Sequence, residues 1–135
     1  MRKLSNVILL AMVMGAFFSC SNDGPTIYKS IKGLWHCAEY PSMGVSKSYI
    51  VDIERSRNDT TQYQLFNFYN VDANESVSSH LKGANLTISK QPIGSTLNVV
   101  ESGSGTVSLN FTRIDLTYHI YDGLNDIKVT AVYTR

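Results

Sequence analysis

The chain has 135 residues, of which 17% are charged and 43% hydrophobic, a balance that argues against disorder and fits one domain rather than two. Twelve Lys and Arg stand against eleven Asp and Glu with no basic cluster, so nucleic acid is not an expected partner. A domain of this size hides roughly two-thirds of its unfolded surface and needs neither metal nor disulfide to fold.

The first segment reads as an address. Met1-Arg2-Lys3 is a short cationic start, and Val7 to Phe18 is almost continuously apolar. That run suits the apolar region of a secretory signal peptide and falls well short of the ~20 residues a membrane-spanning helix needs. Ser19 then places a small residue directly before Cys20. A small residue followed by Cys at the end of such a segment resembles the lipobox of bacterial lipoproteins. Phe17 and Phe18 depart from the usual Leu and small residue, a variation accepted by the looser lipoboxes of Bacteroidota lipoproteins. The resemblance implies removal of residues 1–19 and acylation of Cys20 by palmitate-type chains. At about 0.8 kcal/mol per buried methylene, several such chains hold a domain on a bilayer without any spanning helix. The alternative is a plain secreted protein cut near Ser19, with Cys20 free or bridged.

Ser21 stands where Asp would signal inner-membrane retention in enterobacterial lipoproteins, so the expected location is the outer membrane. Asp23 is the one acidic residue of the 20–26 tether, and the periplasmic and cell-surface faces both remain open. If Cys20 carries lipid, Cys37 has no partner, and beside Trp35 it reads as a small buried apolar residue.

From residue 34 onward, period-2 alternation recurs and no 3.6-residue apolar stripe persists. Ile27 to Lys32 has room for one helical turn. Strands are expected over Leu34–Tyr40, Val45–Glu54, Tyr63–Asn70, Ser76–Leu81, Asn85–Lys90 and Thr96–Ser102. Gln91-Pro92-Ile93-Gly94 breaks the pattern, Ser102-Gly103-Ser104-Gly105 reads as a turn or bulge whose glycines permit positive backbone angles, and Thr106–Phe111 is a further short strand or lead-in. Ile114, Leu116, Tyr118 and Ile120 alternate cleanly in Arg113–Tyr121. Asp122-Gly123 signals a hairpin, and Ile127–Thr134 returns. The spacing leaves no room for crossover helices, so the sheet is antiparallel. The expectation over residues 27–135 is a single all-β domain, a meander of about eight strands closing into a small barrel, with a β-sandwich as the alternative.

Ile31-Lys32-Gly33-Leu34-Trp35 resembles the Gly-x-Trp start of lipocalin and calycin barrels, in which a Trp closes the base beneath a late Arg. The resemblance implies that Gly33 and Trp35 belong to the base, with Arg135 or Arg113 stacked on it. The stretch 27–135 also resembles the small lipocalin-like outer-membrane lipoproteins of Bacteroidota, through Gly33-x-Trp35, Asn67-Phe68-Tyr69, Gln91-Pro92, Gly103 to Thr106 and Tyr133-Thr134-Arg135.

No catalytic grouping stands out. His36, His80 and His119 fall on different strands without metal-binding spacing, so no metal or cofactor is expected. His36 and Cys37 are adjacent on a strand and point to opposite faces, whereas Cys37 with His119 stays geometrically open. The aromatic run Tyr63, Phe66, Phe68 and Tyr69 is read as part core and part ligand or partner surface, with Phe66 and Phe68 on one face. Asp59-Thr60-Thr61 matches the Asp-Ser/Thr-x pattern of Bacteroidota O-glycosylation, making Thr60 a glycosylation candidate. The expected function is a non-enzymatic, membrane-anchored binding or accessory module, for a small apolar or glycan ligand or within an outer-membrane assembly. The alternatives are a lysozyme or hydrolase inhibitor, because Ser102 to Gly105 is similar to the Ser-Gly loop of such lipoproteins, and a small hydrolase.

Overall fold

The computed structural model describes residues 27–135; the signal segment, Cys20 and the tether lie outside the described residues. Among the described residues nine antiparallel strands follow in order: β1 Gly33–Pro41, β2 Lys47–Arg55, β3 Gln62–Phe66, β4 Ser76–Lys82, β5 Asn85–Ile88, β6 Gln91–Pro92, β7 Val99–Val107, β8 Arg113–Tyr121 and β9 Asp126–Thr134. Neighbours pair as a meander, and two further ladders close it. His36 to Pro41 of β1 pair with β9, and Asn85 to Ile88 of β5 pair with β7. The result is a closed eight-stranded barrel with β6 as a short extra strand. β6 keeps the register of β5: Ile88 faces Gly103 and, three steps on in each strand, Gln91 faces Val100. The two are one strand interrupted at Ser89-Lys90.

Alternation decides which residues fill the barrel. β1 sends Trp35, Cys37 and Glu39 inward, β8 sends Ile114, Leu116, Tyr118 and Ile120, and β9 sends Ile127, Val129, Ala131 and Tyr133. Each fully buried aliphatic or aromatic side chain contributes about 1.5–3 kcal/mol relative to exposure. The chain start, the three turns β2–β3, β4–β5 and β7–β8, and Arg135 gather at one end, the base. The turns β1–β2, β3–β4, β6–β7 and β8–β9 form the other, the mouth.

Several sequence expectations are corrected. Ile27 to Lys32 contains no helical turn; it is a bend held across the base. Val45 lies outside β2 and is exposed. The third strand stops at Phe66, because Asn67, Tyr69 and Asn70 all adopt positive φ and the chain turns in a 3-10 segment, Phe68–Asn70. Phe68 therefore enters the core instead of sharing a face with Phe66. Gln91-Pro92 pairs with β7 rather than breaking the sheet.

Thr96–Ser102 and Thr106–Phe111 are not two strands. A single β7 runs through the Ser-Gly repeat, with a bulge between Val100 and Ser102 opposite β8. Gly103 and Gly105 are absent from the positive-φ positions and serve close approach instead. A Cβ on Gly105 would stand 2.5 Å from the backbone oxygen of Asp115.

Candidate functional site

The base is built on Arg135. Its guanidinium lies 4.1 Å from the centre of the Trp35 ring and 3.9 Å from that of Tyr28. Its N–H groups donate to the carbonyls of Phe111 (2.8 Å), Lys32 (2.7 Å) and Ser30. Trp35 Nε1 donates to the Ile31 carbonyl at 2.7 Å, and a Cβ on Gly33 would sit 3.4 Å from Arg135 Nη1. Arg113 has a different role: it forks onto Asp115 at the surface, with N–O distances of 2.8 and 2.6 Å. The Trp35 and Arg135 side chains are thus committed to holding the base together.

The opposite half of the interior is not satisfied. Glu39 is 1% exposed, on the inward face of β1. The hydroxyls of Tyr49 and Tyr118 both donate to its Oε1. Its Oε2 is buried and has no partner, and neither does the hydroxyl of Tyr133. A buried polar atom without a partner costs about 1–3 kcal/mol, so this cluster carries an unmet demand for hydrogen bonds. Burial pushes the Glu39 carboxyl above its ordinary range, against the pull of the two tyrosine hydroxyls and of Lys47. Burial likewise pushes the hydroxyls of Tyr118 and Tyr133 well up, so both stay protonated donors.

A plug covers the cluster. The Phe68 ring packs on Tyr118 with centroids 4.7 Å apart, and Tyr69 meets Tyr118 edge-on at 6.4 Å. Lys47 Nζ sits 4.3 Å above the Tyr69 ring. The plug carries its strained residues together: positive φ at Asn67, Tyr69 and Asn70 costs of order 1 kcal/mol or more each and persists only where the surroundings impose it. Above it lies an open depression of about 330 Å³, floored by Tyr69 and Ile127 and rimmed by Met43, Val45, Lys47 and Asp122. The mouth loops also present Leu97 and Leu124 to solvent.

Of the aromatic run, Tyr63 and Phe68 face the core, while Phe66 and Tyr69 keep partial exposure. Thr60 is exposed in the β2–β3 turn, where Asp59 Oδ1 accepts from Thr61 N (2.8 Å) and from Thr61 Oγ1 (2.7 Å). Cys37 is inside the barrel, its thiol pushed up to about 12 by burial and the nearby Glu39 charge. His119 faces outward, 3.3 Å from Asp126, so Cys37 and His119 do not meet.

The Glu39–Tyr49–Tyr118–Tyr133 cluster escaped the sequence reading. The signal was present in part, because Glu39 continues the inward alternation of Trp35 and Cys37, a face where a carboxylate is out of place. No family model matches this chain, and no curated protein matches it.

Proposed function

We propose that this protein is a non-enzymatic binding module, held on the outer membrane through acylated Cys20, whose mouth end receives a small, largely apolar ligand with a hydrogen-bond-donating head. The observation that carries the reading is the buried, unpartnered Oε2 of Glu39 beneath the Phe68–Tyr69 plug. A donor placed there satisfies the carboxylate, and the ligand's apolar body takes the space that Phe68 vacates. The Bacteroidota lipocalin-like lipoprotein family fits this reading through the lipobox and the Gly33-x-Trp35 base. The Cys37 thiol stays protonated and away from His119, which gives a hydrolase no support. The inhibitor reading is also weakened, since Ser102 to Gly105 lies in the wall of β7 rather than in a projecting loop. Thr60 keeps its glycosylation candidacy as an exposed hydroxyl.

The test uses the chain lacking residues 1–19 with Cys20→Ser, followed by thermal unfolding against long-chain alcohols, amines, fatty acids and soluble glycans. The reading expects stabilisation by a donor-headed apolar compound and its loss in Glu39→Gln. A second reading is supported by the exposed Met43, Val45, Leu97 and Leu124 on the mouth loops: docking of an outer-membrane protein subunit. If no compound stabilises the protein and a pulldown of the lipidated form from its own membrane yields a stoichiometric protein partner lost in Leu124→Asp, the second reading replaces the first.

A further inference from the structure

We infer that the base of the barrel is itself a bilayer-seating surface, one that lies flat on anionic headgroups and aims the mouth away from the membrane. Three aliphatic side chains at this end are turned to solvent: Leu109 at 95% exposure, Ile27 at 82% and Leu34 at 64%. Leu109 stands at the tip of the β7–β8 turn, and Arg135 ties that turn to the chain start by donating to both Phe111 and Ser30. A further hydrogen bond, Val107 N to Ala84 O at 2.8 Å, joins it to the β4–β5 turn. An apolar notch of about 90 Å³ lies between these two turns, lined by Gly83, Ala84, Leu109 and Phe111.

Cations outnumber carboxylates at this end. Its carboxylates are Glu54, paired to Lys32 at 3.3 Å, Asp115, paired to Arg113, Asp59, which accepts from the N–H and hydroxyl of Thr61, and Asp52, across from Leu34. Lys29, Arg55, Arg57 and Lys82 make no ion pair among the described residues. The mouth is the reverse, with Asp72, Glu75, Asp122 and Asp126 against Lys47 and Lys128. A cationic, leucine-tipped end opposite an acidic one suits an anionic lipid surface, where each basic side chain strengthens attachment about fivefold.

The tether argues for the same occupant, and this step rests on the lipid-anchor reading. The span from Cys20 to Ile27 reaches at most about 25 Å when fully extended. An anchored barrel therefore keeps its base, not its mouth, beside the bilayer, and contacts too weak to bind alone act at high effective concentration.

The experiment separates this inference from the anchor. The chain lacking residues 1–19 and carrying Cys20→Ser is sedimented with vesicles of phosphatidylcholine, with and without phosphatidylglycerol. Salt-sensitive binding to the anionic vesicles alone is expected, reduced at least fivefold in Arg55→Gln/Lys82→Gln and again in Leu109→Asp, with unfolding midpoints unchanged. Leu124→Asp at the mouth serves as the control that does not alter binding. Equal partition onto both vesicles, or a loss as large from Leu124→Asp as from Leu109→Asp, overturns the inference. A glycan on Thr60 of the native protein also overturns it, since it would hold the β2–β3 turn off the headgroups. Failure of the anchor is read independently, as absence of acyl mass on Cys20 in the wild-type protein.

Discussion

Arg135 lies over Trp35 as a lid, its guanidinium 4.1 Å from the ring centre, while its N–H groups reach three backbone carbonyls. This one side chain joins the chain start, the β7–β8 turn and the end of β9. Arg135→Lys keeps the charge but loses the planar fork, so two or more of those carbonyls go unsatisfied. A loss of about 2–4 kcal/mol is expected, read as a lower urea midpoint. Arg113→Lys affects only an exposed, solvent-screened pair with Asp115 and is expected to leave the midpoint unchanged. Equal effects from the two substitutions would assign the base to the wrong arginine.

Glu39 makes stability depend on pH in an unusual direction. Its carboxyl is raised in the folded protein, chiefly by burial. Between the ordinary value of 4.5 and the raised one, the native state holds a proton that the unfolded chain releases. Unfolding is therefore favoured as pH rises through that window, and this group's contribution to stability is greatest on the acid side. Each unit of elevation makes the change about 1.4 kcal/mol. Glu39→Gln keeps an acceptor for Tyr49 and Tyr118 without the ionisation, so its stability is expected to stay flat across the same window. Urea midpoints of both proteins from pH 4 to 8 check the sign. A wild-type midpoint that rises with pH there while the variant stays flat would show that the tyrosine hydroxyls and Lys47 outweigh burial.

Strand order and inward faces were legible because period-2 alternation is local. Arg113–Tyr121 matches its expected bounds, and β9 differs from expectation by one residue at its start. The base was legible because Gly33, Trp35 and a late arginine are a compact pattern, although only geometry separates Arg135 from Arg113. Residues whose placement depends on distant neighbours were not legible. Phe68 leaves its strand because Asn67 and Tyr69 take left-handed angles that composition does not announce. The hydrogen-bonded cluster around Glu39 exists only because Tyr118, 79 residues away, arrives across the barrel. The glycines of β7 look like turn residues until Ile88 and Tyr118 are seen against Gly103, and Asp115 and Leu116 against Gly105.

That pressure yields a further expectation. Gly105→Ala places a methyl 2.5 Å from the Asp115 carbonyl oxygen and 3.0 Å from Leu116 Cα, both backbone atoms that move only if the β7–β8 ladder shifts. A destabilisation of about 1–3 kcal/mol is expected from overpacking. Gly83→Ala meets nothing within 4 Å, so its cost is confined to backbone strain at φ +61, about 1–2 kcal/mol. The two are distinguished by hydrogen exchange. Gly105→Ala is expected to speed exchange along β8, whereas Gly83→Ala loosens only the β4–β5 turn. Unchanged protection of β8 in a folded Gly105→Ala protein would contradict the close-approach account.

Cys37 supplies the last expectation. Its thiol sits in the core with a pKa pushed up to about 12, first by burial and then by the neighbouring Glu39 charge. At pH 8 the thiol is therefore held in its protonated form, and the thiolate is the reactive species. Access adds to the block, because the side chain is buried between its cross-strand neighbours Tyr49 and Tyr133, and His119 faces the other side of the sheet. In the Cys20→Ser chain, alkylation of Cys37 should therefore proceed only through opening of the barrel. Its rate should rise with urea in step with unfolding, and Arg135→Lys should accelerate it by the same free energy that it removes from stability. Fast labelling at pH 8 without denaturant would mean that the thiol is reachable through the mouth in the native state. The Phe68–Tyr69 plug would then open far more readily than its packing on Tyr118 implies.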